Sequence, residues 1–108
     1  MIFEENELNN IAAYNLDEYI KELGNSAMLI DVRDKDKYFK EHIRGAVNIP
    51  YKEILDKKIQ LPTDKVFIIY CDRGGLSMTI SRYLHKRGYK VVNVIGGLRN
   101  YKSKLNKK

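Results

Sequence analysis

Apolar residues in this chain fall into short, dense runs separated by stretches with helical spacing. The clearest run is Val66-Phe67-Ile68-Ile69-Tyr70. Five apolar or aromatic residues without alternation predict a strand buried on both faces, as in a parallel sheet covered by helices. Ala27-Met28-Leu29-Ile30 and Val91-Val92-Asn93-Val94 read the same way. Ile11-Ala12-Ala13 predicts a short strand near the start, and Gly45-Ala46-Val47-Asn48-Ile49-Pro50 another that proline stops. Between the strands, Asn15 followed by Glu18 resembles a capping box and predicts a helix to about Leu23, closed by Gly24. Asp34 is placed to cap a short helix carrying Tyr38 and Phe39 inward. A weak helix follows over 51–57, then the turn Leu61-Pro62-Thr63-Asp64. A stronger helix is predicted over 76–87 with Gly88 as its C-cap, and Gly96-Gly97 leads into a terminal helix from about Leu98. The alternation of strand and helix predicts a three-layer α/β domain with a mostly parallel, five-stranded sheet flanked by helices.

At 108 residues the chain can bury one core but not two, so a single domain over 1–108 is expected, structured over about 9–105, with the basic tail 102–108 frayed. With 44% hydrophobic and 31% charged residues it has the composition of a soluble globular domain. No apolar stretch approaches a membrane span, and the opening MIFEENELNN is acidic and polar where a secretory signal is basic and then apolar. A cytoplasmic protein with no membrane partner is the expectation. A net charge of +6 favours anions or a charge-steered protein partner. Nucleic acid is not favoured, because the basic residues are spread along the chain without an RNA or DNA motif. One cysteine and two distant histidines, His42 and His85, offer no ligand cluster, so neither a metal nor an organic cofactor is expected.

The lone cysteine changes the picture most. Cys71 ends the most buried strand and begins the loop Asp72-Arg73-Gly74-Gly75-Leu76-Ser77, which runs into a helix. In parallel sheets, ligands bind beyond the strands' carboxyl ends. The two glycines allow a backbone with φ > 0 that turns amide N–H groups inward, and the helix adds its own unsatisfied amides and positive dipole end. Such a cradle, with Arg73 beside it, stabilises a thiolate, a thiosulfate-like anion or a sulfur-loaded cysteine. An inert core thiol has no use for an anion loop. Because there is no second cysteine, any sulfur chemistry at Cys71 must be completed by an external thiol.

Four segments together carry a family resemblance. Leu29-Ile30-Asp31-Val32-Arg33 resembles the Asp-Val-Arg strand end of single-domain rhodanese-like proteins, of the sulfurtransferase family. His42-Ile43-Arg44-Gly45-Ala46-Val47-Asn48-Ile49-Pro50 resembles their His-Ile-x-Gly-Ala-x-Asn-Ile-Pro signature. Tyr70-Cys71-Asp72-Arg73-Gly74-Gly75-Leu76-Ser77 resembles the active-site loop, and Val94-Ile95-Gly96-Gly97-Leu98 the closing Gly-Gly turn. The resemblance implies a rhodanese fold in which Cys71 takes sulfane sulfur from thiosulfate or from a low-molecular-weight or protein persulfide. It then delivers that sulfur to a thiol, another nucleophile or a partner protein. Asp72, Arg73, Gly74, Gly75, Leu76 and Ser77 become the substrate-binding loop, with Asp31 and Arg33 as support; Lys37 could face the mouth.

Departures from the family pattern bear on the substrate. Asp72 stands where some thiosulfate users carry Arg, and a carboxylate next to the nucleophile repels a dianion. Leu76 replaces a hydroxyl or Arg, so weak thiosulfate use and a preference for persulfide donors are expected. Glu41 replaces a Gly and Tyr101 a late Trp, neither with a mechanistic role. The resemblance makes His42 structural, and the sequence reads His85 as a helix-end cation; Arg33 has two readings, binding of the donor's anionic group or, favoured, scaffold pairing with Asp31 or Asp34. A phosphatase or arsenate reductase on this fold needs Arg where Ser77 stands. The rival from another class is a non-catalytic rhodanese module that docks a partner or senses oxidation.

Overall fold

The computed structural model describes residues 7–57 and 60–106. The described strands are β1 (Asn9–Ala12), β2 (Ala27–Asp31), β3 (Val47–Asn48), β4 (Val66–Tyr70) and β5 (Lys90–Ile95), all parallel, in the spatial order β1-β5-β4-β2-β3. Connecting them are α1 (Leu16–Leu23), α2 (Lys35–Lys40), α3 (Tyr51–Leu55) and α4 (Gly75–Lys86), and α5 (Gly97–Asn106) follows β5. The α/β class and the five-stranded sheet expected from the alternating pattern are those observed.

Period-two alternation in β4 divides the core between the two faces of the sheet. Ile68 and Tyr70 join Leu16 and Tyr19 of α1 and Leu98 of α5. Phe67, Ile69 and Cys71 join Ile54 of α3 and Ile80 and Leu84 of α4. Every residue of β4 is buried, as a strand covered by helices on both sides requires. From β2 the chain winds outward to β3, whereas from β4 it winds to the other side, to β5. The carboxyl ends of β2 and β4 therefore flank the point at which the winding reverses, where open α/β sheets leave a crevice for ligands.

Several local expectations are corrected. Phe39 is 77% exposed; neighbouring helical residues are about 100° apart, so only one of the pair can face inward. Tyr38 does so, donating its hydroxyl to the Ala46 carbonyl at 2.7 Å. The capping box at Asn15 does not form: a 3-10 turn over Ala13–Asn15 leads straight into α1, and Asn15 (φ −101°, ψ 6°) lacks the extended backbone a side-chain cap needs. Asp34 does have extended backbone, but its carbonyl rather than its carboxylate receives the first helical N–H groups, those of Lys37 and Tyr38. Strand β3 is two residues long, and α3 ends at Leu55. The tail expected to fray from Lys102 continues α5 as far as Asn106, while Lys107 and Lys108 lie outside the described residues.

Ser81, on the inner face of α4, is fully buried and its hydroxyl has no hydrogen-bond partner. A buried orphan hydroxyl costs free energy, so Ser81→Ala is expected to raise stability by about 1 kcal/mol. The check is the urea midpoint at unchanged slope.

Candidate active site

Cys71 continues the odd-numbered series of β4, so its side chain emerges on the side of the sheet where α4 begins. The residue is only 4% exposed. Two backbone amides point at its sulfur: Gly74 N–H donates to Sγ at 3.1 Å and Ser77 N–H at 3.3 Å. Gly74 makes this possible with φ +114°, and a Cβ there would stand 3.1 Å from the Gly96 nitrogen. Gly75, expected to share that role, has ordinary φ and opens α4; a Cβ on it would meet nothing within 4 Å. The cradle thus rests on one left-handed glycine and a twelve-residue helix whose first-turn amides are otherwise unsatisfied.

The loop is held from both sides. The first amides of α5 reach across to it, Leu98 N–H donating to Cys71 O at 2.9 Å and Arg99 N–H to Asp72 O at 3.0 Å. Ser77 turns its hydroxyl away from the sulfur: Oγ lies 2.7 Å from Asn93 Oδ1 of β5 and 3.1 Å from Gly74 O. Asn93 Nδ2 in turn donates to Asn10 Oδ1 of β1 at 3.2 Å. Ser77 therefore faces the site with its backbone alone. Asn93, a polar residue within an apolar strand, is a member of the site that sequence reasoning missed; its interruption of Val91-Val92-Val94 was the available signal. Asn93→Ala would leave the buried Ser77 hydroxyl with Gly74 O as its acceptor and cut its tie through β5 to Asn10. A loss of about 2 kcal/mol is expected as the cradle loosens, read from the denaturant midpoint. Ser77→Ala should cost a similar amount, and the double variant should be no less stable than either single one.

Asp31 and Arg33, at the end of β2, form a buried ion pair. The guanidinium meets the carboxylate through Nε at 3.0 and 3.2 Å and Nη2 at 2.7 Å, and Nη2 also donates to Glu41 O at 2.7 Å. Burial alone would lower the Arg33 pKa; the hydrogen bond and charge of Asp31, with smaller help from Tyr70 and Asp72, raise it instead. Burial likewise pushes the Tyr70 phenol far above its ordinary value, and its oxygen accepts the Ile43 N–H at 3.1 Å. Asn48 Nδ2 donates to both the Asp31 and Arg33 carbonyls at 3.0 Å. This geometry gives Arg33 the scaffold contacts expected of it, although it also borders the crevice.

A cavity of about 340 Å³ opens over Cys71. The loop contributes Asp72, Arg73, Gly75 and Leu76 to its walls; Asp34 and Lys37 come from the start of α2, and Tyr51 from α3. Lys37 thus does border the mouth, and Tyr51 was not foreseen. His42 is elsewhere: its ring stacks on Tyr38 at 3.8 Å and Nδ1 lies 2.8 Å from the Tyr38 carbonyl oxygen. His85 lines a separate shallow hollow with Gly88, Tyr89 and Lys90.

A family model described as "Rhodanese-like domain" matches residues 15–104. The chain is 37% identical over 73 residues to thiosulfate sulfurtransferase PspE of Escherichia coli, covering 66% of this chain and 70% of that protein. It is 31% identical over 90 residues to a tRNA sulfurtransferase of Desulfurococcus amylolyticus, covering 83% of this chain but only 18% of the relative's length. The crystal structure of a rhodanese-related protein from Thermoplasma volcanium superposes with a TM-score of 0.78 at 28% identity, covering 89% of this chain and 92% of the other.

Proposed function

The chain belongs to the family of rhodanese-like domains, and on that premise we propose that Cys71 carries sulfane sulfur as a persulfide between a donor and a nucleophilic acceptor. Relatives named as sulfurtransferases support rhodanese-type sulfur transfer as the general role. The observation that carries the residue-level reading is the pair of amides aimed at Sγ beneath an open cavity.

In the first half-reaction the Cys71 thiolate attacks the terminal sulfur of the donor. A new S–S bond forms on Cys71 as the donor's S–S bond breaks, and sulfite leaves thiosulfate, or a thiolate leaves a persulfide, with the electron pair. The added sulfur stands about 2 Å beyond Sγ, within the cavity, where the Gly74 and Ser77 amides and the α4 dipole favour its negative charge. In the second half-reaction an acceptor thiolate attacks that sulfur, and Cys71 leaves as the thiolate. Nothing is oxidised or reduced overall, and the lone cysteine makes delivery to another molecule obligatory.

Persulfides are the better donors in this reading, because Asp72, next in the chain to Cys71, opposes a dianion whose whole charge must come to the sulfur, as in thiosulfate, with Arg73 offsetting it only in part. A phosphatase reading is weaker: Ser77 takes the place of the arginine clamp, and its hydroxyl is engaged with Asn93. Intact-protein mass spectrometry tests the proposal, with reduced protein exposed separately to thiosulfate and to a small persulfide. A gain of one sulfur, removed by thiol with release of sulfide, is the expected result, faster with the persulfide. Equal efficiency with thiosulfate would overturn the donor preference. Loading by neither donor would overturn the carrier and favour a docking or oxidation-sensing module.

A further inference from the structure

A second hollow, of about 670 Å³, adjoins the Cys71 cavity across the Asp72-Arg73 corner of the loop. Arg33, Asp72 and Arg73 border both spaces, and the far wall is α5 with Arg99 and Lys102. The charges in this groove are not equivalent. Arg33 is committed to Asp31, and Lys102 Nζ lies 2.7 Å from Glu41. Among the described residues Arg73 and Arg99 form no ion pair, and Asp72 is the one remaining carboxylate of the wall. Two guanidiniums against one carboxylate leave the groove attractive to an anion. Arg99 is also coupled to the nucleophile's loop, since its own N–H is bonded to Asp72 O. Together the two spaces are far larger than thiosulfate requires.

We propose that this groove is a subsite for the anionic body of a low-molecular-weight persulfide, whose carboxylate or phosphate groups meet Arg73 and Arg99 while its terminal sulfur reaches Cys71. The inference rests on Cys71 being the sulfur carrier and deepens that reading. The step is the one already described: the thiolate attacks the terminal sulfur, the donor S–S bond breaks, and the donor thiolate departs through the groove with the electron pair and is protonated in solvent. A guanidinium suits this task because it pairs with carboxylate or phosphate in a forked geometry.

The test compares second-order loading rates of the full chain with three persulfides: that of glutathione, which carries carboxylates, that of coenzyme A, which carries phosphates, and that of 2-mercaptoethanol, whose body carries no ionised group. Wild-type protein is expected to load the better of the anionic donors about tenfold faster than the neutral one, with the advantage shrinking at high salt. Arg99→Glu should lower that anionic rate at least about tenfold while moving the neutral rate by less than about twofold, and Arg99→Lys should recover most of the loss. Which anionic donor is faster identifies carboxylate or phosphate as the recognised group. Equal loading by all three donors, or an Arg99→Glu effect that is the same for neutral and anionic donors, would overturn the groove and leave the carrier intact. Failure of wild-type protein to load from any donor would overturn the carrier itself, and the groove with it.

Discussion

Cys71→Ser is expected to abolish sulfur loading outright while leaving the fold intact. Serine keeps the shape of the side chain, and its oxygen can accept from the same Gly74 and Ser77 amides that now reach Sγ. What it lacks is the sulfur nucleophile that displaces the donor's leaving group and holds the transferred sulfur in an S–S bond. There is no second cysteine to take over. Mass spectrometry should find no added sulfur under conditions that load the wild-type chain fully, and thermal melts of the two proteins should lie within a few degrees, corresponding to less than about 1 kcal/mol. Residual loading of the variant would place the carrier elsewhere and refute the assignment. Loss of folding instead would show that the thiol is chiefly a core residue, as its burial between Ile69 and α4 permits.

The second large effect is expected far along the chain, at Gly97. Its φ is +59°, and a Cβ there would lie 2.4 Å from the Cys71 carbonyl oxygen and 2.7 Å from the carbonyl carbon and oxygen of Asp72. Those are backbone atoms, so no rotamer change relieves the overlap. Gly97→Ala must push α5 away from the loop and break the bonds from Leu98 and Arg99 to the Cys71 and Asp72 carbonyls. A loss of more than about 3 kcal/mol is expected, with sulfur loading falling at least tenfold in whatever protein remains folded. Gly45→Ala is the control: φ there is +88° but nothing lies within 4 Å of the added carbon, so only backbone strain of about 1 kcal/mol is expected, and loading should survive. Denaturant midpoints and loading rates of the two variants decide the matter. Wild-type behaviour of Gly97→Ala would mean that α5 does not hold the loop.

The contrast between Cys71 and Gly97 marks how far the sequence could be read. Cys71 was legible because its context is contiguous: a wholly apolar strand, a glycine-rich loop and a helix, in that order. The cradle amides of Gly74 and Ser77 lie within six residues of the sulfur they serve. Gly97 stood out as part of a Gly-Gly turn, but nothing local said that it would press against the loop after Cys71. Tyr51 and Arg99 are silent for the same reason, and Asn93 shows only as a polar break in an apolar strand, without naming its partners. Their partners are brought near by the pairing of β5 with β4 and β1 and by the packing of α3 and α5 on the sheet. Phe39 was misread because a six-residue helix has too few turns for spacing to choose between two adjacent aromatics.

The sequence by itself determined the alternation of strands and helices and the parallel sheet, and it singled out Cys71 and its glycine-containing loop as the site we propose. Each of these follows from propensities and periodicities that act over a few residues. Only the tertiary structure decided that the winding reverses between β2 and β4, that the Asp31–Arg33 pair is consumed in holding the crevice, and that the guanidiniums of Arg73 and Arg99 border one groove. Those relations join residues far apart in the chain. They exist only once both faces of the sheet are covered, because burial of the two cores fixes which distant segments meet.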